Sequence, residues 1–144
     1  MSKILAIDYG LKRCGIAITD DAKMIASPLT TVAEKELLEF VKKQIETNKV
    51  DEIVIGLPTG LKGENTDATA YVQAFFTTLK EKHPGVVIEL YDERFTSLLA
   101  QKSIHMMDLP KKKREQKGLL DKVSAAVLLQ SYMNHKQFKL KNKL

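Results

Sequence analysis

The stretch from Ile4 to Asp20, ILAIDYGLKRCGIAITD, contains two apolar runs separated by a polar, glycine-containing connection. Lys3 to Asp8 and Cys14 to Thr19 therefore read as the two strands of a hairpin, and Met24 to Thr31 supplies a third strand. Asp8 closes the first run while still in strand register. An ionised carboxylate at the end of a strand covered on both faces is costly unless it gains hydrogen bonds, a basic partner or a metal. Lys12 and Arg13 offer a purely structural partner, and an aspartate at a strand end can also simply cap a turn.

Beyond the hairpin the pattern changes to alternating strands and helices. Thr31 and Glu34 match a capping box, and Leu37, Leu38, Val41 and Ile45 recur at helical spacing, which predicts a helix from Glu34 to Asn48. Glu52 to Gly56 is a fourth strand, ended by Leu57-Pro58 and a loop through Gly60 and Gly63. Helical spacing resumes at Ala70, Phe75 and Leu79 and stops at His83-Pro84-Gly85, after which Val86 to Tyr91 forms the fifth strand. Phe95 to Met106 again has a helical pattern, Asp108 to Lys117 is polar and basic, and Leu119 to Met133 is a strongly apolar helix. Strands reached through helical crossovers add in parallel. The expected fold is α/β, a single mixed five-stranded sheet with three antiparallel strands followed by two parallel ones, flanked by helices.

At 144 residues, 44% hydrophobic and 28% charged, the chain is of single-domain length and can bury one core. One domain over residues 1–144 is expected, with a mobile basic loop near 108–117 and a basic tail at 135–144. No apolar run reaches the roughly eighteen residues of a membrane span, and the start lacks the pattern of a secretory signal, so a cytoplasmic protein without a membrane partner is expected. Cys14 is the lone cysteine, which excludes a disulfide framework and a cysteine metal site. His83, His105 and His135 show no zinc-type spacing.

Charge is unevenly distributed. Residues 1–110 hold 13 Lys or Arg against 16 Asp or Glu, a net of −3, whereas residues 111–144 hold 10 against 2, a net of +8. Lys111, Lys112, Lys113 and Arg114 bunch together, and Lys136 to Lys143 form a second group. Such bunching suits a polyanion, because nonspecific nucleic-acid affinity comes mostly from Lys and Arg neutralising phosphates.

Asp8 has acidic company. The fifth strand ends in Asp92 and Glu93, which alternate across the sheet, so only one of them can share a site with Asp8. Asp121 opens the last helix, with Ser124, Ala125, Leu128 and Tyr132 on its face; small residues there allow close approach to the sheet. Each acid alone has a structural explanation, Asp121 as a favourable charge in a helix's first turn. Together they form a set of oxygen donors with no softer ligand, the chemistry preferred by Mg²⁺ or Mn²⁺ and used for phosphodiester cleavage.

Four segments carry a family resemblance: IDYGLKRCGIAITD, IVIGLPTGLKG, YDERFTSLLA and DKVSAAVLLQSY. In this order and spacing they resemble the signatures of the YqgF (RuvX) family, over nearly the whole chain. The resemblance implies an RNase H-like fold and a metal-dependent endonuclease. The family has been described as a Holliday junction resolvase and is implicated in maturing the 5′ end of pre-16S rRNA. It also implies that the catalytic and metal-binding acids are Asp8, Glu93 and Asp121, and it is what selects Glu93 over Asp92. Two positions depart from the pattern: Ser124 stands where many RNase H-like nucleases carry a fourth carboxylate, and Cys14 stands where a branched aliphatic is expected.

Substrate contacts are expected from Lys12 and Arg13, close behind Asp8, from Arg94 and Thr96 at a helix start whose amides favour anions, and from Lys111, Lys112, Lys113 and Arg114. Structured RNA, pre-16S rRNA in particular, is the expected partner of a monomer or weak homodimer. A DNA junction resolvase would use the same acids but needs two sites, hence a symmetric dimer. A noncatalytic RNA-binding protein would use the basic residues alone. A nucleotide-binding module of the actin-like kind would need a second domain, for which the chain has no room.

Overall fold

A computed structural model describes residues 2–57, 67–92 and 117–142. The elements are β1 (Lys3–Asp8), β2 (Arg13–Thr19), β3 (Ala26–Ala33), a 3-10 turn (Glu34–Glu36), α1 (Leu37–Thr47), β4 (Val50–Leu57), α2 (Asp67–Lys82), β5 (Val87–Asp92) and α3 (Lys117–Asn142). The predicted helix from Phe95 to Met106 and the loops through Gly60 and Asp108 lie outside the described residues.

The five strands form a sheet in the order β3-β2-β1-β4-β5. β1 pairs antiparallel with β2 and parallel with β4, β2 pairs antiparallel with β3, and β4 pairs parallel with β5. β1 is therefore central, which explains why Ile4 to Ile7 are all buried rather than alternating. One face of the sheet, carrying Leu5, Ile7, Ile53, Ile55 and Ile88, packs against Leu37 and Val41 of α1 and Val72, Phe75 and Leu79 of α2. The other, carrying Ile4, Ala6, Ala17 and Val54, packs against Ala125, Leu128, Leu129, Tyr132 and Met133 of α3. The alanines on this second face let α3 lie close to the backbone of the central strands.

Several boundaries differ from the sequence reading. β3 runs two residues later than expected, to Ala33, so Thr31 is a strand residue and the capping box does not form. Ala33 and Glu36 precede the 3-10 turn and α1 without a side-chain cap hydrogen bond, because pairing with β2 holds Thr31 extended and Glu34 is drawn to another partner. The pairing slips by one residue between Ile16 and Ala17, which places a bulge at Leu29 beside Pro28; both are devices that protect a sheet edge.

The last helix is the largest correction. It spans 26 residues from Lys117 to Asn142, so most of the expected basic tail is helical. Lys, Gln and Leu dominate that extension and are good helix formers. Because the helix starts at Lys117, its first turn holds no acid, and Asp121 lies one turn further in than the reading placed it. Among the described residues no helix is long and apolar enough to cross a membrane.

Candidate active site

Parallel strands end on one edge of a sheet, and the C-terminal ends of β1, β4 and β5 bring Asp8, Leu57 and Asp92 to the same edge. Crevices beyond such ends are the usual ligand sites of open α/β sheets. Asp8 stands there, partly exposed, in register with Gly15 of β2. On its other side the register of Ile7 with Ile55 brings Gly56 of β4 alongside. Both glycines are buried, so the positions directly beside Asp8 on the two neighbouring strands carry no side chain of their own. Side chains two residues apart share a face, so Asp8 looks the same way as Ile4 and Ala6, toward α3.

Other described residues lie on the α3 side of the sheet. α3 contributes Ser124, 3% exposed, and Ala125, fully buried. Asp121 precedes Ala125 by one helical turn on the stripe that continues through Leu128 and Tyr132. In β5, Tyr91 pairs with Gly56 and packs with the α3-facing cluster. Arg13 begins β2 with the parity of Gly15, on the Asp8 face, and Lys12 is exposed in the connection before it.

Of the predicted site residues, the structure thus brings Asp8, Lys12 and Arg13 to one place and carries Asp121 on the helix that covers it. Glu93, Arg94, Thr96 and Lys111 to Arg114 lie outside the described residues, as do the surroundings of the Asp121 side chain. Among the described residues no three His, Cys, Asp or Glu side chains gather as a metal group. The Asp8 position nevertheless fits a hard divalent cation: it offers carboxylate oxygen beside two side-chain-free positions, and the Cys14 thiol is buried in the cluster on the opposite face.

Behind Asp8 the chain is pinned by Tyr9 and Glu34. Tyr9 is buried on the α1/α2 face and its hydroxyl donates to Glu34 Oε1 at 2.7 Å. The Glu34 backbone N–H donates to the Lys12 carbonyl at 3.0 Å. Burial, reinforced by the Glu34 carboxylate, holds the Tyr9 phenol far above its usual range, so it remains a donor at neutral and alkaline pH. Only the capping-box resemblance had drawn attention to Glu34.

A second polar group ties α3 to the sheet well away from Asp8 in the β4 sequence. Glu52, 6% exposed, accepts from the Tyr132 hydroxyl at 2.5 Å and from Lys136 Nζ at 2.6 Å. Tyr132 also donates to Glu89 at 3.0 Å, and the Tyr91 and Ser131 hydroxyls lie 2.8 Å apart. Lys136, expected to belong to a basic tail, is thus committed in part to a buried carboxylate.

Comparison with known proteins matches this arrangement. A family model described as "RuvX: Holliday junction resolvase" matches residues 2–135. A protein of Parabacteroides distasonis bearing the name "Putative pre-16S rRNA nuclease" is 44% identical over 140 residues, covering 97% of this chain and 100% of that one. Another of the same name, from Flavobacterium psychrophilum, is 43% identical over 136 residues, covering 94% and 99%. Among solved structures, T. thermophilus RuvC in complex with Holliday junction substrate superposes with a TM-score of 0.56 at 13% identity, over 92% of this chain and 96% of that one. The fowlpox virus Holliday junction resolvase gives 0.51 at 15% identity, over 92% and 99%. At those identities the likeness speaks for the fold, an RNase H-like sheet with flanking helices. The mixed sheet, the aspartate ending its central strand and relatives alike from end to end lead to one assignment: the chain belongs to the RuvX family.

Proposed function

We propose that this protein is a metal-dependent endonuclease that hydrolyses phosphodiester bonds in the 5′-end maturation of pre-16S rRNA, acting in the cytoplasm as one domain. The observation that carries the reading is Asp8 itself, a carboxylate at the end of a doubly covered strand with glycine on both sides, in a chain 44% identical to a protein named for that role. Asp8, Glu93 and Asp121 would hold Mg²⁺ or Mn²⁺. The choice of Glu93 over Asp92 rests on the family resemblance. Such an ion, when bound, supplies a Lewis acid that activates water and stabilises charge on the departing oxygen.

The remaining work falls to the chain's own groups. The Asp8 carboxylate accepts a hydrogen bond from the attacking water and orients it, since glycine on either side leaves room for water and phosphate. Lys12 and Arg13 hold the phosphate from the β1–β2 connection. Arg94, Thr96 and the basic run Lys111 to Arg114 extend that grip along the strand, with the loop near 108–117 and the α3 extension past residue 135 as the basic margin. RNA cleavage of this kind needs one active site and suits a monomer or a weak homodimer.

The family description favours a second reading, resolution of branched DNA by the same acids in a symmetric dimer. Incubating the protein and its Asp8→Asn variant with pre-16S rRNA and with a four-way DNA junction, with Mg²⁺ or Mn²⁺, separates the two. Cleavage of the RNA that Asp8→Asn lowers by roughly 10²- to 10⁴-fold, with RNA binding kept, is the expected result. Cleavage of the junction alone would replace the first reading with the second, and binding without any Asp8-dependent cleavage would leave a noncatalytic RNA-binding protein.

A further inference from the structure

We propose that Glu34, in the 3-10 turn before α1, is a positioning residue for Asp8, bracing Tyr9 through its carboxylate and Lys12 through its backbone N–H. The role rests on the nuclease reading above.

The brace follows from strand alternation. Asp8 looks toward α3, so the next residue, Tyr9, turns to the opposite face, where it is 6% exposed and its ring centroid lies 5.5 Å from that of Phe75. A residue anchored there by packing and by a 2.7 Å hydrogen bond fixes the backbone on the C-terminal side of Asp8. The other end of the connection is held by the same residue, because the Glu34 N–H meets the Lys12 carbonyl immediately before Arg13 enters β2.

Between these two anchors the connection has no slack. A Cβ built on Gly10 would stand 2.4 Å from the Arg13 carbonyl oxygen, so only glycine allows the turn to close this tightly. The Cys14 thiol donates to the Gly10 carbonyl at 3.6 Å, a third tie within the same loop. Glu34 therefore sets the spacing between the proposed catalytic carboxylate and the proposed phosphate-binding pair, although its own contacts are with the Tyr9 hydroxyl and the Lys12 backbone carbonyl. Displacement of reacting groups by about 1 Å can cost on the order of 100-fold in rate. An ordinary structural contact would lower stability without a selective effect on turnover.

The test compares Tyr9→Phe, Glu34→Ala and Glu34→Gln with wild type in single-turnover cleavage of pre-16S rRNA at saturating protein, with RNA affinity, thermal unfolding and amide hydrogen exchange measured alongside. Tyr9→Phe keeps the ring and its packing, and glutamine keeps a carbonyl that can accept the Tyr9 hydroxyl. We expect the rate to fall by on the order of 10- to 100-fold in Tyr9→Phe and Glu34→Ala, with RNA affinity within about twofold of wild type, and to recover most of its value in Glu34→Gln. Exchange at Gly10 to Arg13 should quicken in the two impaired variants and stay slow in Glu34→Gln. Folded Tyr9→Phe protein that cuts at the wild-type rate overturns the proposal, as does an equal loss in Glu34→Ala and Glu34→Gln. A wild-type rate no greater than that of Asp8→Asn is a different failure: the nuclease reading falls, and the catalytic role of the brace with it, whatever the exchange at Gly10 to Arg13 shows about the contact itself.

Discussion

Glu52 illustrates how a single buried charge is kept. A carboxylate 6% exposed would be prohibitively costly alone, and it is met by a tyrosine hydroxyl, a lysine ammonium and the helix that carries both. Burial first, and then the Glu52 and Glu89 carboxylates, hold the Tyr132 phenol far above its usual range, so the donor is present at every physiological pH. Tyr132→Phe should destabilise the protein by about 1–3 kcal/mol, read as a lower denaturation midpoint with unchanged slope. Asp20 is the contrasting case, fully solvated at the β2–β3 turn. Its Oδ1 accepts from the backbone N–H groups of Met24 at 2.8 Å and Ile25 at 3.0 Å, and these bonds, that of Ile25 foremost, lower its pKa below the usual value. A carboxylate depressed in the folded state stabilises above its unfolded pKa and loses that contribution as pH falls through the folded one. The melting-temperature gap between wild type and Asp20→Ala should therefore be present at neutral pH and close on acidification through the folded-state pKa of Asp20.

At the scale of elements, α3 is the part on which the second face of the sheet depends. Leu128 is fully buried between that helix and the central strands, and Leu128→Ala should cost about 2–5 kcal/mol in a denaturation experiment. α1 ends less favourably. Lys49, immediately after the C-cap Asn48, has φ of 55°, a left-handed conformation that a residue with a Cβ adopts at a cost, and its carbonyl accepts the Lys3 N–H at the start of β1. Lys49→Gly should raise stability by about 0.5–1 kcal/mol, measurable as a shift in melting temperature. Both helices were visible from their apolar spacing, but their ends were not. The Thr31–Glu34 capping box is a local signal that lost to the β2–β3 ladder, and the C-terminal extension of α3 is polar, so periodicity stopped reporting on it at Met133.

Over the whole molecule, segregation of charge governs how a polyanion would be held. Removing the four charges of Lys111 to Arg114 should weaken RNA binding and flatten its salt dependence, by up to about 0.7 in log–log slope for each phosphate no longer neutralised; an unchanged slope would show that no phosphates meet this run. The mixed five-stranded sheet, the parallel addition of β4 and β5 and the α/β class were legible from the chain, because apolar periodicity and the length of crossovers are local properties that topology must obey; the order of the strands came only with the tertiary structure. Legible too was the place of Asp8, a charge in strand register at the end of β1. The glycines on either side of it were in plain view at Gly15 and Gly56, yet nothing local says that residues so far apart flank one carboxylate; only pairing of β1 with both β2 and β4 does. The same holds for Tyr9 with Glu34 and for Glu52 with Tyr132 and Lys136. Hydrogen bonds between residues distant in the chain have no period and no fixed spacing, so they exist as information only once the sheet and its covering helices have closed.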